Sequence, residues 1–221
     1  MIDIETPDLH QQRLLYVAEQ LRATQAQNVL DLGCGSGGLL QYLLQVEQFE
    51  RVVGVELDGE LLAQAKFRLA DLPRANQCLE LICGSYTDDK QPLKHFSAAA
   101  MVETIEHIPP AQLSALEKAV FANFRPAYLV ITTPNADYNP LFGLEEGEYR
   151  DPDHKFEWSR GRFQQWARGV AKRHGYRVRF TGIGEWHDAL GQPTQLAHFT
   201  HQLTEKTPSQ PSGREGVGRL V

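Results

Sequence analysis

Apolar residues recur along the chain with two different spacings, which take turns from one segment to the next. Short apolar runs, such as NVLDL at 28–32 and FSAAAMV at 96–102, are typical of buried strands. Longer stretches, such as HQQRLLYVAEQLRA at 10–23, repeat their apolar residues every three or four positions and predict amphipathic helices. Strands that alternate with helices indicate an α/β fold, with a mostly parallel central sheet and helices on both faces.

The same reading gives the predicted organisation of the whole chain. We expect one domain over 1–203, and a disordered tail over 204–221, which is polar and rich in Ser, Pro and Gly. The predicted strands lie at 28–32, 51–57, 78–84, 96–102, 127–133 and 176–184, and the predicted helices at 10–23, 39–46, 59–72, 110–124 and 159–174.

Composition narrows the class of protein. The net charge of −6 gives no support for wrapping a long nucleic acid, although recognition of one nucleic-acid end needs few phosphate contacts. The basic stretch at 160–180 is typical of a solvated helix face. No apolar run is long enough to span a bilayer, and the three cysteines form no CxxC pair. A reducing, cytoplasmic location is therefore expected.

A glycine-rich turn, DLGCGSGG, follows the first predicted strand and precedes a helix. Gly33, Gly35 and Gly38 satisfy the GxGxxG pattern of nicotinamide dehydrogenases, so that class has to be considered. Asp31 lies before the turn, where its carboxylate can face a cationic group. Glu56 ends the second strand, where a carboxylate can accept hydrogen bonds from both hydroxyls of a ribose.

This arrangement resembles the class I methyltransferases that use S-adenosylmethionine (SAM), which have a Rossmann-like fold. In that family the glycine turn meets the methionine part of SAM and the acid of the second strand holds the ribose. The resemblance also implies that the turn after the third strand lies near the adenine. The implied cofactor-binding residues are Asp31, Gly33, Gly35, Gly37, Glu56, Gly84 and Ser85.

A second polar cluster, ETIEHIPP at 103–110, follows the fourth predicted strand. If it forms one helical turn, Glu103, Glu106 and His107 share a face and can converge on one point. Two interpretations stay open for this stretch alone. It is either a solvated turn or part of a metal site, and many small-molecule O-methyltransferases have an EHxP-like stretch here without a metal.

The segment RDPDHKFEW at 150–158 adds His154 to this cluster. ETIEH followed by DHKFEW, with TTPNADYN at 132–139, resembles the 3′-terminal RNA ribose 2′-O-methyltransferases of plants, animals and bacterial RNA-repair systems. The resemblance covers the chain from about 11 to about 199. It implies that Glu103, Glu106, His107 and His154 bind a metal ion. This mixed oxygen and nitrogen set suits Mn²⁺, Fe²⁺ or Co²⁺ better than Mg²⁺, which is nevertheless often assigned to the family.

The resemblance implies methyl transfer from SAM to the 2′-OH of the last nucleotide of an RNA. His107 or His154 is then a candidate proton acceptor, and Asn135 is either a substrate-orienting group or a plain turn residue. A repair kinase-phosphatase or ligase partner stays open, because the ligase-like domain of the bacterial enzymes is not among these 221 residues. The alternatives are a metal-independent O-methyltransferase of small molecules and a non-catalytic nucleotide-binding module.

Overall fold

The structure of the protein is a computed structural model, which describes residues 8–202. These residues form one seven-stranded sheet of strand order β3-β2-β1-β4-β5-β7-β6, with helices on both faces. The predicted α/β class is confirmed. The predicted tail at 204–221 lies outside the described residues. None of the helices between residues 8 and 202 has both the length and the apolar composition that a membrane span requires.

The elements follow the predicted alternation. The strands are β1 (Asn28–Leu32), β2 (Arg51–Glu56), β3 (Leu79–Cys83), β4 (Ala98–Val102), β5 (Tyr128–Pro134), β6 (Tyr176–Ile183) and β7 (Thr194–His201). The helices are α1 (Leu9–Ala23), α2 (Gly38–Leu43), α3 (Gly59–Leu69), α4 (Ala75–Cys78), α5 (Leu113–Glu117) and α6 (Arg160–His174). Short 3₁₀ helices cover Ile105–His107, Pro110–Gln112 and Ala136–Phe142.

The strand β7 was not among the predicted elements. It runs antiparallel to both neighbours, so that Thr194 lies beside Pro134 of β5 and Ile183 of β6. The polar residues of β7 interrupt the apolar run that would predict a strand. They can be buried because they have hydrogen-bond partners in other strands. The ring of His198 bonds Tyr128 at 2.7 Å and Thr181 at 2.7 Å.

The helix predicted at 110–124 is divided into three segments. A 3₁₀ turn at Pro110–Gln112 leads into α5, which continues as a π-helix over Lys118–Phe124. Because a π-helix bonds residues five apart, its wider turn brings Ala119 and Phe124 to the same side, and both are buried. The predicted span was right, and its internal geometry was not visible in the apolar spacing.

The turn after β1 requires glycine at its first position. Gly33 has a φ of +84°, and a Cβ there would lie 2.5 Å from Thr104 Cγ2. Its backbone N–H donates to Val55 O of β2 at 2.8 Å, which holds the turn against the sheet. Both the left-handed backbone and the close approach of Thr104 therefore exclude a side chain.

Gly33→Ala is expected to destabilise the fold by about 1–3 kcal/mol, because it adds backbone strain and a steric clash with Thr104. Gly161→Ala is the matched control, since a Cβ at Gly161 in α6 meets nothing within 4 Å. The control should be neutral or slightly stabilising. Urea unfolding followed by circular dichroism measures both changes, and equal stabilities of the two variants would contradict this account of the turn.

Candidate active site

The predicted functional residues lie at the carboxyl ends of four neighbouring strands. Asp31 is in β1, Glu56 ends β2, Glu103 follows β4, and Pro134 ends β5. These strands are parallel and adjacent in the sheet, so their ends meet at one edge. In open α/β sheets this edge is where ligands bind.

The glycine turn and Glu56 form one half of the site. The carboxylate of Glu56 accepts hydrogen bonds from the N–H groups of Gly35 and Asp58, both at 2.9 Å. Gly37 caps α2 in a left-handed conformation, with a φ of 84°. The Glu56 side chain is thus fixed beside the turn, with its outer lone pairs directed along the sheet edge.

Asp31 is buried beneath this turn, and its Oδ2 atom has no hydrogen-bond partner. Burial, together with the nearby charge of Glu56, raises the pKa of Asp31 to about 7. A buried acceptor without a partner is costly. The arrangement therefore favours a cationic ligand at this point.

Gly84 and Ser85 follow β3 on the same edge. The N–H of Gly84 donates to Glu56 O at 2.9 Å, which attaches this loop to the end of β2. The Ser85 hydroxyl lies 2.7 Å from the hydroxyl of Thr87. Both residues are half-buried and lie next to Glu56, as the predicted adenine side of the cofactor site requires.

The other half of the site contains the acid and histidine cluster. Ligand atoms of Glu106, His107 and His154 all lie within 4.8 Å of one another. Two donor atoms bound to one ion at about 2.1 Å lie at most about 4.2 Å apart, so a small closure would complete the geometry. The structure thus brings together three of the four predicted metal ligands, from segments that are far apart in sequence.

Glu106 is the buried member of this cluster, with 0% of its surface exposed. Its Oε2 accepts a hydrogen bond from the Thr133 hydroxyl at 2.9 Å, whereas its Oε1 has no partner. Burial, and then the charge of Glu103, raises the pKa of Glu106 well above its ordinary value. A cation bound to Oε1 would give this oxygen a partner and would offset the unfavourable negative charge.

Glu103 has a different position from the predicted one. It precedes the 3₁₀ turn and has a left-handed φ of 51°, so it does not share one helical turn with Glu106 and His107. Its backbone N–H donates to the Thr132 hydroxyl at 3.0 Å, and that hydroxyl donates to Glu103 Oε1 at 2.8 Å. Its Oε2 lies 3.3 Å from Arg13 Nη1. The β5 strand therefore dictates where this carboxylate points.

The two histidine rings meet edge to face, with their centroids 4.8 Å apart. Burial, and then the charge on His154, lowers the pKa of His107, which favours the neutral ring that a metal ion needs. The N–H of Lys155 donates to Glu106 O at 2.8 Å. This backbone bond holds the loop of His154 against the 3₁₀ turn that contains Glu106 and His107.

A cavity of about 540 Å³ opens over the cluster. It is large enough for part of a nucleotide, and it combines basic, acidic and apolar groups. Its lining consists of Leu9, Arg13, Glu103, His107, Pro134, Phe142, Leu144, Arg150, Asp151 and His154.

The chain was compared with known proteins. Residues 8–191 match a family described as "Methyltransferase domain". A crystal structure of the methyltransferase domain of a bacterial protein, CtHen1-CN, is 40% identical with a TM-score of 0.79, and the match covers 87% of this chain and 100% of that one. The small RNA 2′-O-methyltransferase of Mus musculus is 37% identical, over 88% of this chain and 51% of the mouse protein. The chain belongs to the small RNA 2′-O-methyltransferase family.

Other members of the family are longer. The small RNA 2′-O-methyltransferase of Xenopus tropicalis is 36% identical, over 92% of this chain and 58% of the frog protein. A crystal structure of the small RNA methyltransferase HEN1 has a TM-score of 0.81 and 31% identity, over 96% of this chain and 27% of HEN1. The chain thus spans about half the length of the curated relatives it matches, and its fold is that of SAM-dependent methyltransferases.

In this member of the small RNA 2′-O-methyltransferase family, Asn135 is fully buried. Its Nδ2 donates to the carbonyls of Leu190 and Gln192, both at 2.8 Å, and its Oδ1 accepts from Asp137 N at 3.1 Å. Both amide hydrogens are used inside the protein. The structure therefore favours the turn-residue interpretation of Asn135 and corrects its catalytic one.

Several residues that position the site had no role in the sequence analysis. Thr132 and Thr133 hold the two carboxylates, and Arg13 contacts Glu103. Gln195 of β7 donates from Nε2 to Pro134 O at 2.9 Å and to Trp158 O at 2.8 Å. A signal was present for the threonines, since two adjacent hydroxyls end an otherwise apolar strand. Arg13 and Gln195 are distant in sequence from the groups they hold and gave no signal.

The raised pKa of Asp31 predicts opposite changes in stability and binding for Asp31→Asn. From the ordinary value of 3.8 up to about 7, the folded protein holds a proton that the unfolded chain has lost. Stability therefore falls as pH rises through this window, by roughly 1.4 kcal/mol per unit. Asparagine does not titrate, so the variant should be more stable than the natural protein at pH 8 and bind SAM more weakly.

Urea unfolding at pH 5 and pH 8, with calorimetric titration of SAM, measures both effects. Asp71→Asn changes an exposed carboxylate in the same way and should alter neither quantity. Unchanged SAM affinity in Asp31→Asn would show that this carboxyl does not face the positive charge of the cofactor.

Proposed function

We propose that the protein transfers a methyl group from SAM to the 2′-OH of the 3′-terminal nucleotide of RNA, with the help of a divalent metal ion. The observation that carries the proposal is the convergence of buried, partly unpartnered Glu106 with two imidazoles, beside the glycine turn. The relatives of the chain are small RNA 2′-O-methyltransferases, which supports an RNA substrate.

We assign SAM to the glycine turn. Gly33, Gly35 and Gly37 let the methionine part of the cofactor approach the backbone, and Asp31 faces a cationic group of that part. Glu56 binds the ribose hydroxyls, and Gly84 with Ser85 lies along the adenine. These groups hold the methyl carbon at the sheet edge, next to the cavity over the histidines, so that oxygen, carbon and sulfur can align.

We assign Glu103, Glu106, His107 and His154 as the ligands of a divalent ion, with Mn²⁺ favoured over Mg²⁺ by the two imidazoles. When bound, such an ion lowers the pKa of a coordinated oxygen and so supplies a better nucleophile near neutral pH. Glu103 needs a rotation away from Arg13 to join the other three. Arg13 lines the same cavity and is placed to bind the terminal phosphate of the RNA once Glu103 has moved.

The histidines do not suit the role of general base once they are ligands. His154 Nδ1 is hydrogen-bonded to Glu157 Oε1 at 2.6 Å, which leaves its Nε2 for the ion. In the proposed site the ion also takes a ring nitrogen of His107, whose donor atom lies within 4.8 Å of those of Glu106 and His154. We therefore assign uptake of the hydroxyl proton to water at the open side of the cavity, and give both rings a ligand role only.

The partner stays a prediction at this level. The RNA 3′ end follows from the proposed function, whereas a repair kinase-phosphatase or ligase is an expectation from the resemblance alone.

Methyl transfer should depend on both the RNA end and the metal ion. An RNA with free terminal 2′- and 3′-hydroxyls should accept labelled methyl from SAM with Mn²⁺, and EDTA should abolish the reaction. RNAs that end in a 2′-deoxynucleotide or a 3′-phosphate should fail. His154→Ala should lower the rate about 100-fold or more, whereas His187→Ala, an exposed histidine of the β6–β7 loop, should not.

Good methylation of the 3′-phosphorylated RNA would contradict binding of both terminal hydroxyls. Transfer to small phenols or carboxylates at full rate in EDTA would instead establish the metal-independent alternative.

An exposed aromatic ring at the cavity should contribute to RNA binding. Phe142 is 51% exposed, and the Arg150 guanidinium lies 4.7 Å from its ring centroid. Stacking of a base on an aromatic ring contributes about 1–3 kcal/mol, so Phe142→Ala should raise the KM for RNA roughly 5- to 100-fold. Phe142→Tyr should preserve binding, and the affinity for SAM should not change.

Phe67→Ala removes a ring that is 88% exposed on α3 and serves as the control. Steady-state kinetics at saturating SAM gives the two KM values. An equal loss in the two variants would argue against a base stacked at Phe142.

A further inference from the structure

A close pair of buried side chains lies directly behind the candidate metal site. His154 Nδ1 and Glu157 Oε1 are 2.6 Å apart, and the two side chains are only 7% and 1% exposed. Glu157 belongs to the same DHKFEW stretch as His154, three positions further on. It does not line the cavity over the histidines, although it borders a neighbouring cavity of about 570 Å³ with a side chain that is only 1% exposed.

Glu157 is itself held by two further donors. Its Oε1 also accepts from Arg150 N at 2.7 Å, and its Oε2 accepts from Asn139 Nδ2 at 2.6 Å. Arg150 Nε donates to Asn139 Oδ1 at 2.7 Å, so the asparagine cannot turn its amide around without losing a bond. Three residues of the chain thereby fix the direction of one carboxylate.

The Arg150 side chain is anchored in turn. Its Nη2 donates to Asn135 O at 2.7 Å, and its Nη1 donates to Pro193 O at 2.9 Å. The network therefore runs from the end of β5 and the start of β7 to the imidazole of His154. Its members are buried or half-buried, which makes each hydrogen bond hard to replace by water.

This geometry decides which nitrogen of His154 carries the proton. Glu157 offers the ring a carboxylate oxygen, which accepts and does not donate. The ring must therefore present Nδ1–H to Glu157. The lone pair of Nε2 is then left for a metal ion, in a ring that has a donor atom within 4.8 Å of those of Glu106 and His107.

We propose that Glu157 is a positioning residue, which locks His154 in the Nδ1–H tautomer and in the ring orientation that directs Nε2 at the metal ion. The inference rests on the proposed function for the metal. It gives a chemical role to the glutamate of DHKFEW and to Asn139 of TTPNADYN, neither of which had one. A carboxylate behind a ligating imidazole also makes the ring a stronger donor.

A second pair in the protein offers a matched control. Glu117 Oε1 lies 2.8 Å from His174 Nε2, so the contact is of the same kind. His174 ends α6 and has no place in the cluster of Glu106, His107 and His154. Glu117→Gln therefore makes the same chemical change as Glu157→Gln, the loss of a carboxylate beside an imidazole, at a place outside the site.

Mn²⁺ affinity without RNA or SAM, measured by the electron paramagnetic resonance of free Mn²⁺, tests the inference. Glu157→Gln should bind Mn²⁺ about 10- to 100-fold more weakly than the natural protein. A glutamine with its NH₂ group at the Oε1 position faces the donor Arg150 N and forces His154 into the Nε2–H tautomer, whereas an NH₂ group at the Oε2 position faces the donor Asn139 Nδ2. Glu117→Gln should match the natural protein, and His154→Ala sets the value for a lost ligand.

Three results separate the possibilities. Natural affinity in Glu157→Gln, with loss in His154→Ala, would overturn the positioning role and leave the metal site intact. No Mn²⁺ binding by the natural protein would remove the proposed metal site and the inference with it. A loss in Glu157→Gln counts in favour only if SAM affinity and thermal stability stay near natural values.

A readout on the unaltered, metal-free protein covers the case in which Glu157→Gln does not fold. Long-range proton–nitrogen NMR correlations distinguish the two tautomers of a neutral histidine, and the spectrum of His154→Ala identifies the signals. The Nδ1–H form is expected for His154. An Nε2–H form would overturn the inference, whatever the metal experiments give.

Discussion

Two carboxyl groups are buried at one edge of the sheet, and within residues 8–202 each has an oxygen without a hydrogen-bond partner. Asp31 lies under the glycine turn and Glu106 lies under the histidines. Each is next to a second acid, Glu56 and Glu103 respectively, which makes its ionisation harder still. Such an arrangement is unfavourable in isolation, so it indicates places where positive charge is to be bound.

In the proposed function, the two acids mark two cation sites that take ions of different charge. One site offers a carboxylate under a glycine backbone, which suits a singly charged sulfonium with a bulky nucleoside. The other offers carboxylates with imidazoles, which suits a compact divalent ion. Because β1 and β4 are adjacent parallel strands, the sheet itself places the two buried carboxyl groups side by side at one edge, as the proposed methyl transfer requires.

The sheet, the glycine turn and the acid of β2 were predictable, because apolar runs and the glycine-rich stretch DLGCGSGG are signals of local structure. The exception, β7, carries buried polar residues whose partners lie in other strands. The single helical turn considered for Glu103, Glu106 and His107 does not form, for a related reason. Thr132, 29 positions away, draws the backbone of Glu103 into a left-handed conformation.

The position of His154 could not be predicted from the spacing of residues along the chain. Its place beside His107 came from a resemblance, since periodicity cannot bring together residues from two loops. For Asn135, the position could be predicted but the direction of the side chain could not. Its position on the functional edge was right, but the direction of its amide depended on two carbonyls near the start of β7.

Gln195 connects the order of synthesis to the assembly of the site. Its single amide bridges the end of β5 and the loop that contains His154 and Trp158. On the ribosome, the glycine turn and the β4 acids emerge long before residue 195. A nascent chain can therefore form the glycine-turn half of the site early. The loop that contains His154 receives the hydrogen bond from Gln195 only when β7 has been made and inserted between β5 and β6. Competence for chemistry is thereby delayed until nearly all of the described chain has left the ribosome.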